Sequence, residues 1–204
     1  MHAVDTGVPM AALNLRDFTI LTAQCGAYDL ATTQGILRSL GANKLLEAKQ
    51  TLEVLQILSQ RKIDILLCDI RLPPFGGLEL VRAIRKNAKN ENRAVPIFVL
   101  ASNARENAVT KARDAGANLV IQTPLSPANV LNRVQWVLLN PRPFVDFENY
   151  AGPDRRFKIE GYPEGVGRRK SDTDEPVAAE AGPALTQGVI DDLFNNVRTG
   201  AQSG

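Results

Sequence analysis

Few side chains in this sequence are placed to do chemistry, and their scarcity is itself informative. The only histidine is His2, near the start of the chain, which removes most metal sites and His-dependent catalysis. Two cysteines occur, Cys25 and Cys68. Both sit in or beside apolar runs, so packed, reduced thiols are expected rather than a redox pair. Asp69 closes the aliphatic run Ile63 to Cys68, where a carboxylate would stand at the end of a buried strand. Two arginine pairs, Arg155-Arg156 and Arg168-Arg169, lie among glycines with Phe157 and Tyr162 nearby. Such pairs can grip a phosphate-bearing ligand bidentately while an aromatic ring stacks on a base. A cyclic dinucleotide would fit that pattern. The blander alternative is a solvated basic linker leading into the acidic run Asp172, Asp174 and Glu175, and it is preferred. The one Gly-Gly pair, Gly76-Gly77, follows the Asp69 run instead of opening a phosphate loop. With no nucleophile-base pair in view either, an enzyme is not expected.

The bulk numbers narrow the class further. Of 204 residues, 44% are hydrophobic and 23% charged, and 24 basic residues nearly balance 22 acidic ones. One ordinary domain with length to spare fits this size. The near-neutral balance gives no reason to expect nucleic acid as a partner. No apolar run reaches membrane-spanning length, and Met1 to Asn14 has neither the basic start nor the apolar core of a secretory signal, so a cytoplasmic protein is expected.

Within residues 15–140, apolar runs alternate with helical periods. Strands are expected at Phe18–Ala23, Leu45–Ala48, Ile63–Cys68, Pro96–Ala101 and Leu119–Gln122. Helices are expected at Ala27–Leu40, Thr51–Gln60, Leu78–Asn87, Arg105–Ala115 and Pro127–Leu139. In the second helix Leu52, Leu55, Ile57 and Leu58 share one broad face. Gly41 and Gly116 are placed as helix C-caps, and Ser126 with Pro127 as a helix start. Five strands alternating with five helices predict an α/β fold, a parallel sheet between two helix layers with right-handed crossovers. Functional groups gather at the carboxyl ends of the strands in such sheets.

Composition shifts near Asn140. Pro141, Pro143, Pro153, Pro163, Pro176 and Pro183 follow, with recurrent glycines and few aliphatic residues. Residues 141–184 are therefore expected to form a disordered linker, basic and then acidic. Residues 185–198 differ again. Leu185, Val189, Ile190, Leu193 and Phe194 would make one apolar face of a short helix, with Thr186 as its N-cap. A helix this short is marginal alone and is expected to fold against a partner, in the manner of a helix laid in a groove.

The ordered pieces of the first part resemble a response-regulator receiver domain. Cys68-Asp69-Ile70-Arg71-Leu72-Pro73 with Gly77-Leu78-Glu79-Leu80 is similar to the family's phosphoacceptor strand and loop. Leu37 to Ala48, Asp114-Ala115-Gly116-Ala117 and Thr123-Pro124 match further family segments, the last falling on a cis Lys-Pro peptide. The resemblance covers about residues 16–140 and implies a flavodoxin-like sheet of order 2-1-3-4-5. It makes Asp69 the phosphoacceptor position. It also places the family's acidic Mg²⁺-binding pair on Gln24 and Cys25, its hydroxyl on Ala101 beside Ser102, its lysine on Thr123 and its switch aromatic on Val120. Arg71 would offer a backbone carbonyl to the metal. Neutral and soft groups at these places are poor ligands for a hard cation. No cofactor is therefore expected, with Mg²⁺ required only if Asp69 is phosphorylated.

The resemblance thus implies a two-component signalling protein with a degenerate pocket, a pseudo-receiver acting as a protein-interaction adaptor. The 185–194 pattern resembles the N-terminal peptide of the flagellar motor switch protein. Partners implied are another receiver, a histidine kinase, or a flagellar or chemotaxis component, with self-association as a further possibility. A working phosphorelay receiver phosphorylated at Asp69, and an effector binding a cyclic dinucleotide through Arg155, Arg156, Arg168 and Arg169, are the alternatives.

Overall fold

A computed structural model of the chain describes residues 15–102 and 106–155. In chain order its elements are β1 (Thr19–Ala23), α1 (Ala27–Ser39), β2 (Lys44–Ala48), α2 (Thr51–Gln60), β3 (Ile65–Asp69) and α3 (Gly77–Lys86). They continue with β4 (Ile97–Ala101), α4 (Glu106–Ala115), β5 (Leu119–Gln122), α5 (Pro127–Leu139), β6 (Phe144–Phe147) and β7 (Tyr150–Pro153). The first five strands form one sheet in the order β2-β1-β3-β4-β5, parallel at every pairing.

Side-chain alternation divides each central strand between two apolar layers. Leu66, Cys68 and Val99 point to the layer built with Leu55, Leu58, Leu80, Val81 and Ile84 of α2 and α3. Ile65, Leu67, Phe98 and Leu100 point to the opposite layer, with Leu37 of α1 and Val130, Val134 and Val137 of α5. A strand covered on both faces needs unbroken aliphatic sequence, which Ile65-Leu66-Leu67-Cys68 supplies.

Helix ends follow their local chemistry. The Ser126 hydroxyl accepts from the Asn129 N–H at 3.3 Å and Pro127 opens α5. Gly116 ends α4 with φ of 100°. There the Ala117 N–H donates to Ala112 O and the Gly116 N–H to Arg113 O, each at 3.0 Å. That is the Schellman closure, for which a residue without Cβ suits the left-handed backbone. One helical face is narrower than expected: Leu52 is exposed on α2, since Thr51, Val54, Leu55 and Leu58 already fill the buried side.

The larger correction lies past Asn140. Residues 141–155, expected as disordered linker, contain an antiparallel hairpin in which Phe147 pairs with Tyr150 and Phe144 with Pro153. A lone hairpin of four-residue strands is marginal in water, and here its contacts with the domain support it. Arg93 meets the Asp146 carboxylate at 2.6 Å and lies over the Phe144 ring at 5.1 Å. Within the hairpin itself, the Tyr150 hydroxyl donates to Pro153 O at 2.6 Å. The rest of the expected linker and the 185–198 helix lie outside the described residues.

Candidate functional site: the carboxyl end of the sheet

Strand register brings the expected pocket residues to one end of the sheet. Asp69 ends β3 opposite Leu100 of β4, and Ala101 pairs with Gln122. Three backbone bonds continue the sheet just beyond: Gln24 N–H to Ala48 O at 3.1 Å, Ile70 N–H to Leu100 O at 2.9 Å and Thr123 N–H to Ala101 O at 2.9 Å. Gln24, Asp69, Ala101, Ser102 and Thr123 therefore lie along one rim of the sheet.

Asp69 is largely enclosed, its side chain 13% exposed. Its Oδ1 accepts the Arg71 N–H at 2.7 Å, and the exposed Arg71 guanidinium lies 3.8 Å from the same oxygen. The loop thus engages one oxygen of its own carboxylate. Beneath it, the Cys68 thiol donates to Asp69 O at 3.4 Å. Burial and the adjacent Asp69 charge push this thiol far above the ordinary cysteine range, leaving it protonated and unreactive.

Apart from Arg71, the expected pocket residues around Asp69 are neutral. Gln24 is buried, and its Oε1 is sealed from solvent with no hydrogen-bond partner. Ala101 is buried and Ser102 exposed beside it; Thr123 is half-buried, and its peptide to Pro124 is cis, as is Pro73-Pro74. Val120, on which the switch aromatic was expected to fall, packs against the core. Cys25 is exposed, which corrects the expectation of two packed thiols: β1 ends at Ala23, so Cys25 falls in the loop.

A magnesium ion needs several hard oxygen ligands in near-octahedral array. The donor set here is one carboxylate, the Arg71 backbone carbonyl, one amide oxygen shut away from solvent and one soft thiol. Among the described residues no group of three His, Cys, Asp or Glu side chains could hold a metal. These residues do not fit a Mg²⁺ site.

Arg155 is not a free guanidinium. It donates to Asp114 Oδ1 at 2.8 Å and covers the Tyr150 ring at 4.0 Å. Burial alone would raise the Asp114 carboxyl, but the Arg155 hydrogen bond and the Arg113 charge outweigh it and hold it below its ordinary value. Arg156, Arg168, Arg169, Leu185, Val189, Ile190, Leu193 and Phe194 lie outside the described residues.

Sequence reading missed a polar node at the opposite end of the sheet. Arg85 of α3 is almost wholly buried. Its Nε donates to Gly116 O at 2.9 Å, one terminal nitrogen to Arg93 O at 2.6 Å and the other to Asn118 Oδ1 at 3.0 Å. Asn118 Oδ1 also accepts the Ile97 N–H at 2.9 Å. An arginine beside Lys86 in the last turn of an amphipathic helix reads as solvent-facing, so nothing local announced this role.

Comparison with known proteins agrees with this geometry. The family model described as response regulator receiver domain matches residues 29–135. The chain is 29% identical to the sensor histidine kinase AruS of Pseudomonas aeruginosa over 120 residues, 59% of this chain but 12% of that protein. It is 28% identical to the chemotaxis protein CheY-3 of Vibrio cholerae over 101 residues, 50% of this chain and 76% of that one. Among solved structures, the receiver domain of a Pseudomonas aeruginosa sensor histidine kinase, with magnesium coordinated in its active-site cleft, aligns at a TM-score of 0.53 and 27% identity. That alignment covers 58% of this chain and 95% of the other. No helix among the described residues is long and apolar enough to cross a membrane.

Proposed function

The chain belongs to the response regulator receiver domain family of two-component signalling, and from that membership we propose that it works as a pseudo-receiver, a cytoplasmic adaptor that binds proteins and performs no catalysis. One observation carries this reading. Asp69 is retained, but its carboxylate is engaged by the Arg71 N–H in a rim of neutral Gln24, Cys25, Ala101 and Thr123. Phosphoryl transfer to an aspartate depends on cations that neutralise charge at the transferring group. Among the described residues this rim offers only the exposed Arg71. A neutral rim still leaves the receiver surface available for docking.

The partners proposed are another receiver, a histidine kinase, or a flagellar or chemotaxis component. The amphipathic 185–198 segment is proposed as the peptide that engages them, with Leu185, Val189, Ile190, Leu193 and Phe194 as its apolar anchors. Immobilised full-length chain should retain a purified receiver protein, whereas the chain lacking 185–198 should not. Equal retention by both would remove the tail from this account. The cyclic-dinucleotide reading loses support at Arg155, whose guanidinium is held by Asp114.

A further inference from the structure

Helix α3 touches both unusual regions of the molecule, one at each end. At its start there is no space above Gly77: a Cβ there would lie 2.2 Å from Asp69 O and 3.0 Å from Cys68 Sγ. The Gly77 N–H donates to Ile70 O at 2.9 Å and the Gly76 N–H to Leu72 O at 2.8 Å. The first turn of α3 is thereby fixed to the loop that holds Asp69. Between the ends, Leu80, Val81, Ala83 and Ile84 are buried, so the helix moves as a body or not at all.

At its far end Arg85 grips Gly116 O, the turn on which the hairpin sits. A Cβ on Gly152 of β7 would lie 2.9 Å from Gly116 Cα, and one on Gly116 would lie 2.8 Å from Ala151 O. The two backbones are in direct contact. Arg155 then fastens the end of the hairpin to Asp114 on α4 at 2.8 Å, and Arg142 donates to Asn118 O at 2.5 Å. Displacing α3 along its axis would strain the Asp69 loop at one end and unseat the hairpin at the other.

We infer that α3 couples the Asp69 loop to the β6–β7 hairpin, so that undocking the hairpin changes the loop and disturbing the loop loosens the hairpin. Thermodynamic linkage makes such coupling reciprocal. Arg155, the last described residue, closes this hairpin, so an event at the Asp69 rim reaches the final described segment of the chain. The coupling is independent of whether Asp69 is ever phosphorylated.

The test uses the full chain, with amide hydrogen exchange and backbone amide NMR shifts as readouts. Gly152→Val drives a side chain into the Gly116 contact and should raise exchange across 144–153. The amides of Ile70 to Gly77 should shift in the same variant. In the opposite direction, Asp69→Ala removes the acceptor of the Arg71 N–H, and exchange across 144–153 should rise by at least about fivefold. Should Gly152→Val fail to fold, Asp114→Ala with Arg155→Ala opens the same latch by deletion. A hairpin that exchanges faster while Ile70 to Gly77 keep their shifts would overturn the coupling. So would an Asp69→Ala chain whose hairpin protection is unchanged.

Discussion

Arg85→Ala should lower the stability of the domain by about 4 kcal/mol, read from urea unfolding of the full chain. The buried guanidinium donates to three acceptors, Gly116 O, Arg93 O and Asn118 Oδ1. Truncation leaves each without that donor and opens a cavity where the side chain lay. A loss of this size is a large share of the ~5–15 kcal/mol that holds a typical domain together. Arg85→Lys should recover less than half, because an ammonium cannot present the same planar fork. Desolvation draws the Arg85 pKa down to about 9, so the side chain stays charged at neutral pH. Its folded-state value lies below the unfolded one, so burying the charge opposes folding at neutral pH. That opposition should ease as pH rises past 9. The stabilisation removed by alanine therefore comes from the hydrogen bonds and packing, not from the charge itself.

Gly77→Ala should cost about 3 kcal/mol and lower the melting temperature by roughly 10 °C. The added methyl would meet backbone, Asp69 O at 2.2 Å, which cannot swing aside as a flexible side chain could. The first turn of α3 must retreat, and its bond to Ile70 O goes with it. Gly35 provides the internal contrast. It lies within α1 with nothing within 4 Å of an added Cβ. Gly35→Ala should therefore stabilise by about 0.5–1 kcal/mol through helix propensity. Calorimetry of the two variants separates a close-approach glycine from a dispensable one.

Much of this architecture was readable because it rests on local signals. β3 announced itself by unbroken aliphatic residues, α5 by Ser126 and Pro127, and the end of α4 by Gly116. The rim was readable too, since strand ends in a parallel sheet converge: Asp69 and Ala101 end their strands, and Gln24 and Thr123 directly follow theirs. What escaped depended on distant partners. Phe144-Val145-Asp146-Phe147 and Tyr150 carry a strand signal, but the flanking Pro141, Pro143 and Pro153 argued for linker. Contacts from elsewhere in the chain, among them those of Arg93, Asp114, Gly116 and Asn118, hold the hairpin in place. Arg85 escaped for the same reason, its acceptors being contributed from elsewhere in the chain. The exposure of Cys25 turned on the end of β1 at Ala23, a boundary of the kind that composition does not resolve.

These features separate scaffold from chemistry. The sheet, the Asp69 loop and the cis Thr123-Pro124 peptide are present, while the proposed account has neutral Gln24, Cys25, Ala101 and Thr123 standing where charges would drive phosphoryl transfer. Incubating the intact chain with a small phosphodonor and Mg²⁺, and reading its intact mass, puts that separation to the most direct test. The pseudo-receiver account predicts an unmodified mass, under conditions where a receiver with its acidic pair and lysine gains one phosphoryl group. A phosphoryl adduct on this chain, absent from Asp69→Asn, would contradict it.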